Sequence, residues 1–198
     1  MIFDDKFFEE EIMWDHKVTT LVKKVWAVEI NILDEIDRIC KKYNLRYFAA
    51  YGTLLGAIRH KGFIPWDDDL DIVMFRPDYE MFRKVAAKEL PEYMVFQGEF
   101  ENSLSRSFCK VRDSRTTAIE FMNFPKEYNQ GLFVDIFPLD DACDGPDKIT
   151  PEFIMKTEMW AALTTPHIVK QRMDNGVKFI LPKDILECVG ENKDGQGE

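Results

Sequence analysis

The 198-residue chain carries 26 Lys and Arg against 36 Asp and Glu, a formal charge of −10, with 45% hydrophobic and 13% aromatic residues. That apolar content excludes a disordered chain and suffices for one domain with a core. The acidic field repels nucleic-acid phosphates, so no nucleic-acid partner is expected, while a nucleotide ligand stays open because a bound cation reverses the sign locally.

Residues 1–16 read as an irregular acidic lead-in with no apolar signal core. From Val18 to Tyr43, residues such as Leu21, Val25, Trp26, Ile32, Ile36 and Ile39 recur at helical spacing and predict one long amphipathic helix. Lys41 and Lys42 suit its negative end, and Asn44 suits a left-handed stop. Arg46–Tyr51 reads as a strand, Leu54–His60 as a helix start and Lys61–Pro65 as a turn. Asp69–Phe75 alternates like a strand, and Pro77 opens a helix to about Leu90 with Met81, Phe82, Val85 and Ala86 inward. Further strands are predicted over Tyr93–Gln97, Ser105–Val111, Thr116–Phe121 and Gly131–Phe137, a loop over Pro138–Pro151, and a helix over Thr157–Gln171. The order predicts an α/β or α+β domain over residues 1–190, with residues 191–198 a disordered polar tail.

Cys40, Cys109, Cys143 and Cys188 form no CxxC pair and no zinc-finger spacing with His, so free thiols in a reduced compartment are expected. No segment has the apolar length to span a bilayer, and a soluble cytoplasmic protein is expected. Peripheral attachment to a membrane through a partner stays open, as does the oligomeric state.

The chemistry concentrates at Asp67, Asp68, Asp69 and Asp71. On a strand, Asp67, Asp69 and Asp71 share one face and Asp68 points away. Three converging carboxylates repel, and Mg²⁺ or Mn²⁺, which prefer carboxylate oxygens, would relieve them. A solvated acidic turn is the plainer reading, weakened because the run enters the apolar strand Leu70, Ile72, Val73. A calcium EF-hand fails, since Ile72 stands where Gly is required and Asp78 where Glu is required. Asp135, alone in GLFVDIF, needs a partner or a metal. It completes a three-carboxylate site if its strand lies beside 69–75.

Gly52-Thr53, between a strand and a helix, suits phosphate binding through backbone N–H groups and a hydroxyl, or serves as a plain helix cap. Arg59, His60 and Lys61 form a basic island that binds substrate phosphate, or in which Arg59 pairs with an acid or caps the helix. Lys110, Arg112 and Arg115 form a second island, in which the face of Lys110 is open and Arg115 reads as solvated. His16 and His167 read as surface residues without companions.

The stretch YGTLLGAIRHKGFIPWDDDLDIVMFRPDYEMF, residues 51–82, resembles the LicD family, and the resemblance runs from about Trp26 through GLFVDIFPLDD at 131–141. That family includes bacterial phosphocholine transferases, is related to the fukutin-type ribitol-phosphate transferases, and belongs to the nucleotidyltransferase superfamily. The resemblance implies an α+β fold with a nucleotidyltransferase-like mixed sheet flanked by helices. It implies that Gly52-Thr53 is the glycine–hydroxyl element, with Thr in place of the usual Ser. Asp69 and Asp71 match the paired metal ligands, Asp135 the third acid and Asp67 an additional acid of this branch. The implied reaction is Mg²⁺- or Mn²⁺-dependent transfer of a phosphoalkanol, typically phosphocholine, from a CDP-linked donor such as CDP-choline. The acceptor is a sugar hydroxyl of a cell-surface polysaccharide, teichoic acid or lipopolysaccharide precursor. In that scheme Asp135, or secondarily Asp67, is the general base; Arg59 or Lys110 stabilises developing charge; and Trp66 packs the base or choline, or simply packs beside Pro65. Two other functions remain: nucleotidyl transfer from an NTP to a small hydroxylated acceptor, and a non-catalytic cation-binding scaffold.

Overall fold

A 24-residue helix, α1 (Thr20–Tyr43), is the longest element. The Thr19 hydroxyl accepts from the Val22 N–H at 3.4 Å and caps its start. Asn44, at φ 54°, ends it and donates its N–H to the Cys40 and Lys41 carbonyls. The inner stripe of Trp26, Ile32, Ile36 and Ile39 is buried, each aliphatic side chain contributing about 1.5–3 kcal/mol by leaving water. Leu21, expected in that stripe, is 71% exposed.

The computed structural model describes residues 3–98, 108–119 and 129–140. All of these belong to one compact unit, residues 1–98 with 108–140. Residues 99–107 and 141–198 lie outside the described residues, and with them the predicted helix Thr157–Gln171 and the expected tail 191–198.

The lead-in is more ordered than the sequence suggested. A 3-10 turn over Asp5–Phe8 precedes the hairpin β1 (Glu11–Met13) and β2 (His16–Val18), whose tip residues Trp14 and Asp15 take positive φ. After α1 come β3 (Phe48–Ala49), α2 (Tyr51–Arg59), β4 (Asp71–Phe75), α3 (Arg76–Glu89), β5 (Met94–Gln97), β6 (Cys109–Asp113) and β7 (Leu132–Leu139). The strand predicted over Arg46–Tyr51 shrinks to two residues because Ala50 is already the N-cap of α2. The strand predicted from Ser105 runs instead over Cys109–Asp113. Thr116–Phe121 is not a strand where it is described: Thr116 folds back, and its N–H and hydroxyl both donate to the Asp113 carbonyl. On α3, Tyr79, Phe82 and Ala86 face inward, while Met81 is exposed.

The five-stranded sheet has the order β3-β4-β7-β6-β5. β4 and β7 are parallel and the other pairs antiparallel. This is the expected α+β mixed sheet with flanking helices. Strand alternation gives the sheet two faces of different chemistry. Ile72, Met74, Val111, Val134 and Ile136 join Ile32, Ile36 and Phe82 in the core. The alternate positions carry Asp71, Asp135, Lys110 and Arg112. Arg112 is fully buried on that face, donating to Gln97 Oε1 and the Gly131 carbonyl at 2.6 Å each and lying over Phe133. Cys40 and Cys109 are free and buried; Cys143 and Cys188 lie outside the described residues. Among the described residues no helix is long and apolar enough to cross a membrane.

Gly131 opens β7 so close to Asp113 that an added Cβ would overlap the Asp113 carbonyl oxygen. Gly131→Ala is expected to cost about 1–3 kcal/mol through overpacking, measured by urea denaturation; unchanged stability would show that the strand shifts freely there.

Candidate active site

Three elements converge on Asp67. The turn after α2 closes with the Asp67 N–H donating to the Ile64 carbonyl at 2.9 Å. From α1, the Trp26 indole Nε1–H donates to the Asp67 carbonyl at 2.9 Å, and the same ring stacks on Phe63 at 4.7 Å and 6°. From α2, Gly52 admits the Asp67 carboxylate: a Cβ at position 52 would stand 2.5 Å from Asp67 Oδ2. The neighbouring Thr53 hydroxyl oxygen accepts the Asp71 N–H at 2.8 Å, tying α2 to the start of β4. Thr53 is therefore first a clamp between two elements, with its own hydroxyl proton still available to donate. A cavity of about 280 Å³ opens here, lined by Ile30, Leu33, Gly52, Phe63, Asp67 and Asp69 among others.

The acids are arranged differently from a single strand face. β4 starts only at Asp71, and Asp67–Leu70 are irregular, so strand alternation does not govern Asp67 and Asp69. The turn hydrogen bond and the Trp26 contact hold Asp67 away from the ladder, which begins where the Leu70 carbonyl accepts the Asp135 N–H at 2.9 Å. Asp68 is exposed, whereas Asp67, Asp69 and Asp71 are half-buried. Across the parallel pair β4–β7, Asp71 stands opposite Asp135. Burial, then Asp67 and Asp68, raises Asp69 above the usual carboxylate range. Asp71 is pushed up to about 7 by burial, then by Asp69, Asp135 and Asp67.

Lys110, 2% exposed, settles the face left open by the sequence. Its ammonium lies 2.9 Å from Asp135 Oδ1 and 3.2 Å from Oδ2, over the Phe133 ring. Its charge also draws Asp69 and Asp71 down against the forces that raise them. Arg115 pairs instead with Asp113 at 2.6 Å and lies over Tyr93.

One acid escaped the sequence reading. Glu29, on α1, is 1% exposed, and its Oε2 has no hydrogen-bond partner among the described residues. Burial and the charges of Asp69, Asp68, Asp67 and Asp71 push its carboxyl up to about 9. The signal was present: Glu29 occupies the apolar stripe, three residues after Trp26 and three before Ile32, where solvation cannot explain an acid.

The basic island lies apart from the acids' ion pairing. Arg59 is exposed and donates through Nε to His60 Nδ1 at 3.3 Å, and it pairs with no acid among the described residues. Trp66 is 56% exposed rather than packed in the core, and meets His16 and His60 edge-on at 5.9 Å each. His60 also meets Trp14 at 4.8 Å. His16 thus has a companion and is half-buried, contrary to expectation, while His167 lies outside the described residues.

The donor set could hold a hard divalent cation: carboxylate oxygens raised by burial and then by mutual repulsion, against which Lys110 is the opposing charge. Asp69 and Asp71 fit such an ion, while the Asp135 carboxylate is engaged by Lys110. Among the described residues no three acid, imidazole or thiol groups stand converged as a ready-made ligand cage.

A mixed sheet with acids on adjoining parallel strands, beside a glycine–hydroxyl helix start, has the layout of a nucleotidyltransferase domain. Residues 44–160, more than half of the chain, match the family described as LicD/FKTN/FKRP, nucleotidyltransferase domain, and the chain belongs to that LicD family. It is 37% identical over 124 residues to the lipopolysaccharide cholinephosphotransferase LicD of Haemophilus influenzae, covering 62% of this chain and 45% of that protein. It is 39% identical over 181 residues to an uncharacterised protein of Rickettsia typhi, covering 79% and 56%, and 28% identical over 109 residues to one of Rickettsia prowazekii, covering 55% and 38%. The chain therefore spans about half the length of the curated relatives it matches.

In the folded chain Asp71 is pushed up to about 7, against 3.8 for the free side chain. Between those values the folded state holds a proton that the unfolded state has released, so stability falls as pH rises through that window. Glu29 extends the decline toward about 9. In EDTA, the melting temperature is expected to drop from pH 5 to pH 8. Asp71→Asn should raise it at pH 8 and leave it near wild type at pH 5, by scanning calorimetry. Equal effects of the substitution at both pH values would contradict the charge-crowding origin.

Proposed function

We propose that this chain carries the catalytic domain of a phosphotransferase that moves phosphocholine from CDP-choline to a sugar hydroxyl of a cell-surface polysaccharide, teichoic acid or lipopolysaccharide precursor. The observation behind this reading is the registered pair Asp71 and Asp135 on adjoining parallel strands, with Asp69 beside them, in a chain that resembles a cholinephosphotransferase. Asp69 and Asp71 would hold Mg²⁺ or Mn²⁺, with Asp135 the third acid of the set. Such an ion, when bound, supplies neutralising charge to the donor pyrophosphate and the leaving group.

The chain's own groups divide the remaining work. The sugar hydroxyl oxygen attacks the choline-bearing phosphorus, the bond to the bridging oxygen breaks, and CMP leaves. Asp135, an ion-paired carboxylate, would accept the hydroxyl proton, with Asp67 the alternative acceptor. Lys110 stands at the acids, so it is better placed than exposed Arg59 to stabilise charge on the transferred group. Arg59 and His60 would instead meet outer phosphate oxygens of the donor. The backbone N–H groups at Gly52 and Thr53, at the start of α2, would hold a donor phosphate. Trp66, exposed beside His16 and His60, would receive the base or the choline cation. The proposed location is the cytoplasm, where a CDP-linked donor is available.

The test is CMP release from CDP-choline with Mg²⁺ and a lipopolysaccharide acceptor, together with donor binding by calorimetry. Asp69→Asn and Asp71→Asn are each expected to lower CMP release by about 100-fold or more without unfolding the protein. Wild-type turnover in both variants, or pyrophosphate release from CTP in place of CMP release, would sink the assignment.

A further inference from the structure

Glu29 is a buried acid for which the proposed mechanism has no use. It is placed by the turn of α1 that begins at Trp26, whose indole is bonded to the Asp67 carbonyl. Ile30, the next residue, lines the cavity shared with Asp67 and Asp69. The Trp26 bond and the Ile30 lining thus set this turn of α1 against the acidic segment, and besides burial the charges of Asp69, Asp68, Asp67 and Asp71 act on the Glu29 carboxyl. It is 1% exposed and its Oε2 has no hydrogen-bond partner among the described residues. An unpartnered carboxylate is costly to bury, and more so against like charges. Packing alone would favour a leucine or isoleucine here, in line with Trp26 and Ile32.

We infer that Glu29 belongs to the cation-binding site, its carboxylate a further oxygen donor that reaches the ion held by Asp69 and Asp71 directly or through one bound water. This rests on the metal-dependent reading above. The site then has walls on two different layers, the start of the sheet and the first half of α1. Lys110 is paired with Asp135 on β7. Capture of the ion would draw α1 toward the 67–71 segment, so helix and acids would tighten together.

The experiment is Mn²⁺ titration by calorimetry on the wild-type chain, Glu29→Gln and Asp71→Asn, with melting temperatures recorded with and without the ion. Glu29→Gln keeps the shape and removes the charge. It is expected to bind Mn²⁺ roughly 10–100-fold more weakly, the range typical for loss of a supporting ligand. It should also show a smaller Mn²⁺-induced rise in melting temperature, while melting no lower than wild type in EDTA. Wild-type affinity in Glu29→Gln, alongside lost affinity in Asp71→Asn, overturns the inference alone and leaves Glu29 as a buried protonated acid. A wild-type chain that binds no Mn²⁺ overturns the metal reading as well. If Glu29→Gln does not fold, Glu29→Asp decides: it retains the charge but withdraws it by one methylene, so weakened Mn²⁺ binding in a folded chain supports the inference and unchanged binding overturns it.

Discussion

The parallel pairing of β4 with β7 is the constraint on which the rest of the site depends. Parallel neighbours cannot be joined by a tight turn, so the chain leaves β4 through α3, β5 and β6 before returning as β7 at the centre of the sheet. The register that results sets Asp71 beside Asp135, two acids 64 positions apart in sequence. A slip of β7 by one residue would move Asp135 to the core face beside Ile72 and Val111 and turn Ile136 out of the core. The hydrophobic face thus fixes the position of the polar one.

Charge is the second organising quantity. Asp67, Asp69, Asp71, Asp135 and Glu29 gather in one region, and the ammonium of Lys110, held against Asp135 and the Phe133 ring, acts on Asp69 and Asp71. Folding stability has been spent on this crowding, and the core of α1, α3 and the inner sheet face supplies it. That division is typical of a site arranged for an ionic ligand: the scaffold tolerates repulsion that the ligand later relieves.

Much of this was legible in the sequence, for identifiable reasons. The long helix and its stop followed from spacing and from Asn44, and the inward strand around Asp135 followed from a lone acid in an apolar run. The 67–71 segment misled because alternating residues imitate a strand, whereas a turn bond and a helix tryptophan, distant in sequence, hold Asp67 away from the ladder that Leu70 begins. Thr53 was recognised by its place beside Gly52, but its bond to the Asp71 N–H depends on how α2 lies over β4, which no local pattern encodes. Lys110 could not be assigned a face until its strand had ends, and Glu29 was hidden by the regularity of the stripe around it.

The Trp26 indole joins two roles at one ring. It is 4% exposed, stacked on Phe63 and bonded to the carbonyl of the first acid in the cluster. Trp14 and Trp66 are largely exposed. Among the three tryptophans of the described residues, the buried ring therefore forms an internal optical probe whose emission is separable from theirs by its shielding from water and from added quenchers. Any rearrangement of the acidic turn must pass through its hydrogen bond, so the state of the site can be followed in the ultraviolet without attaching a label.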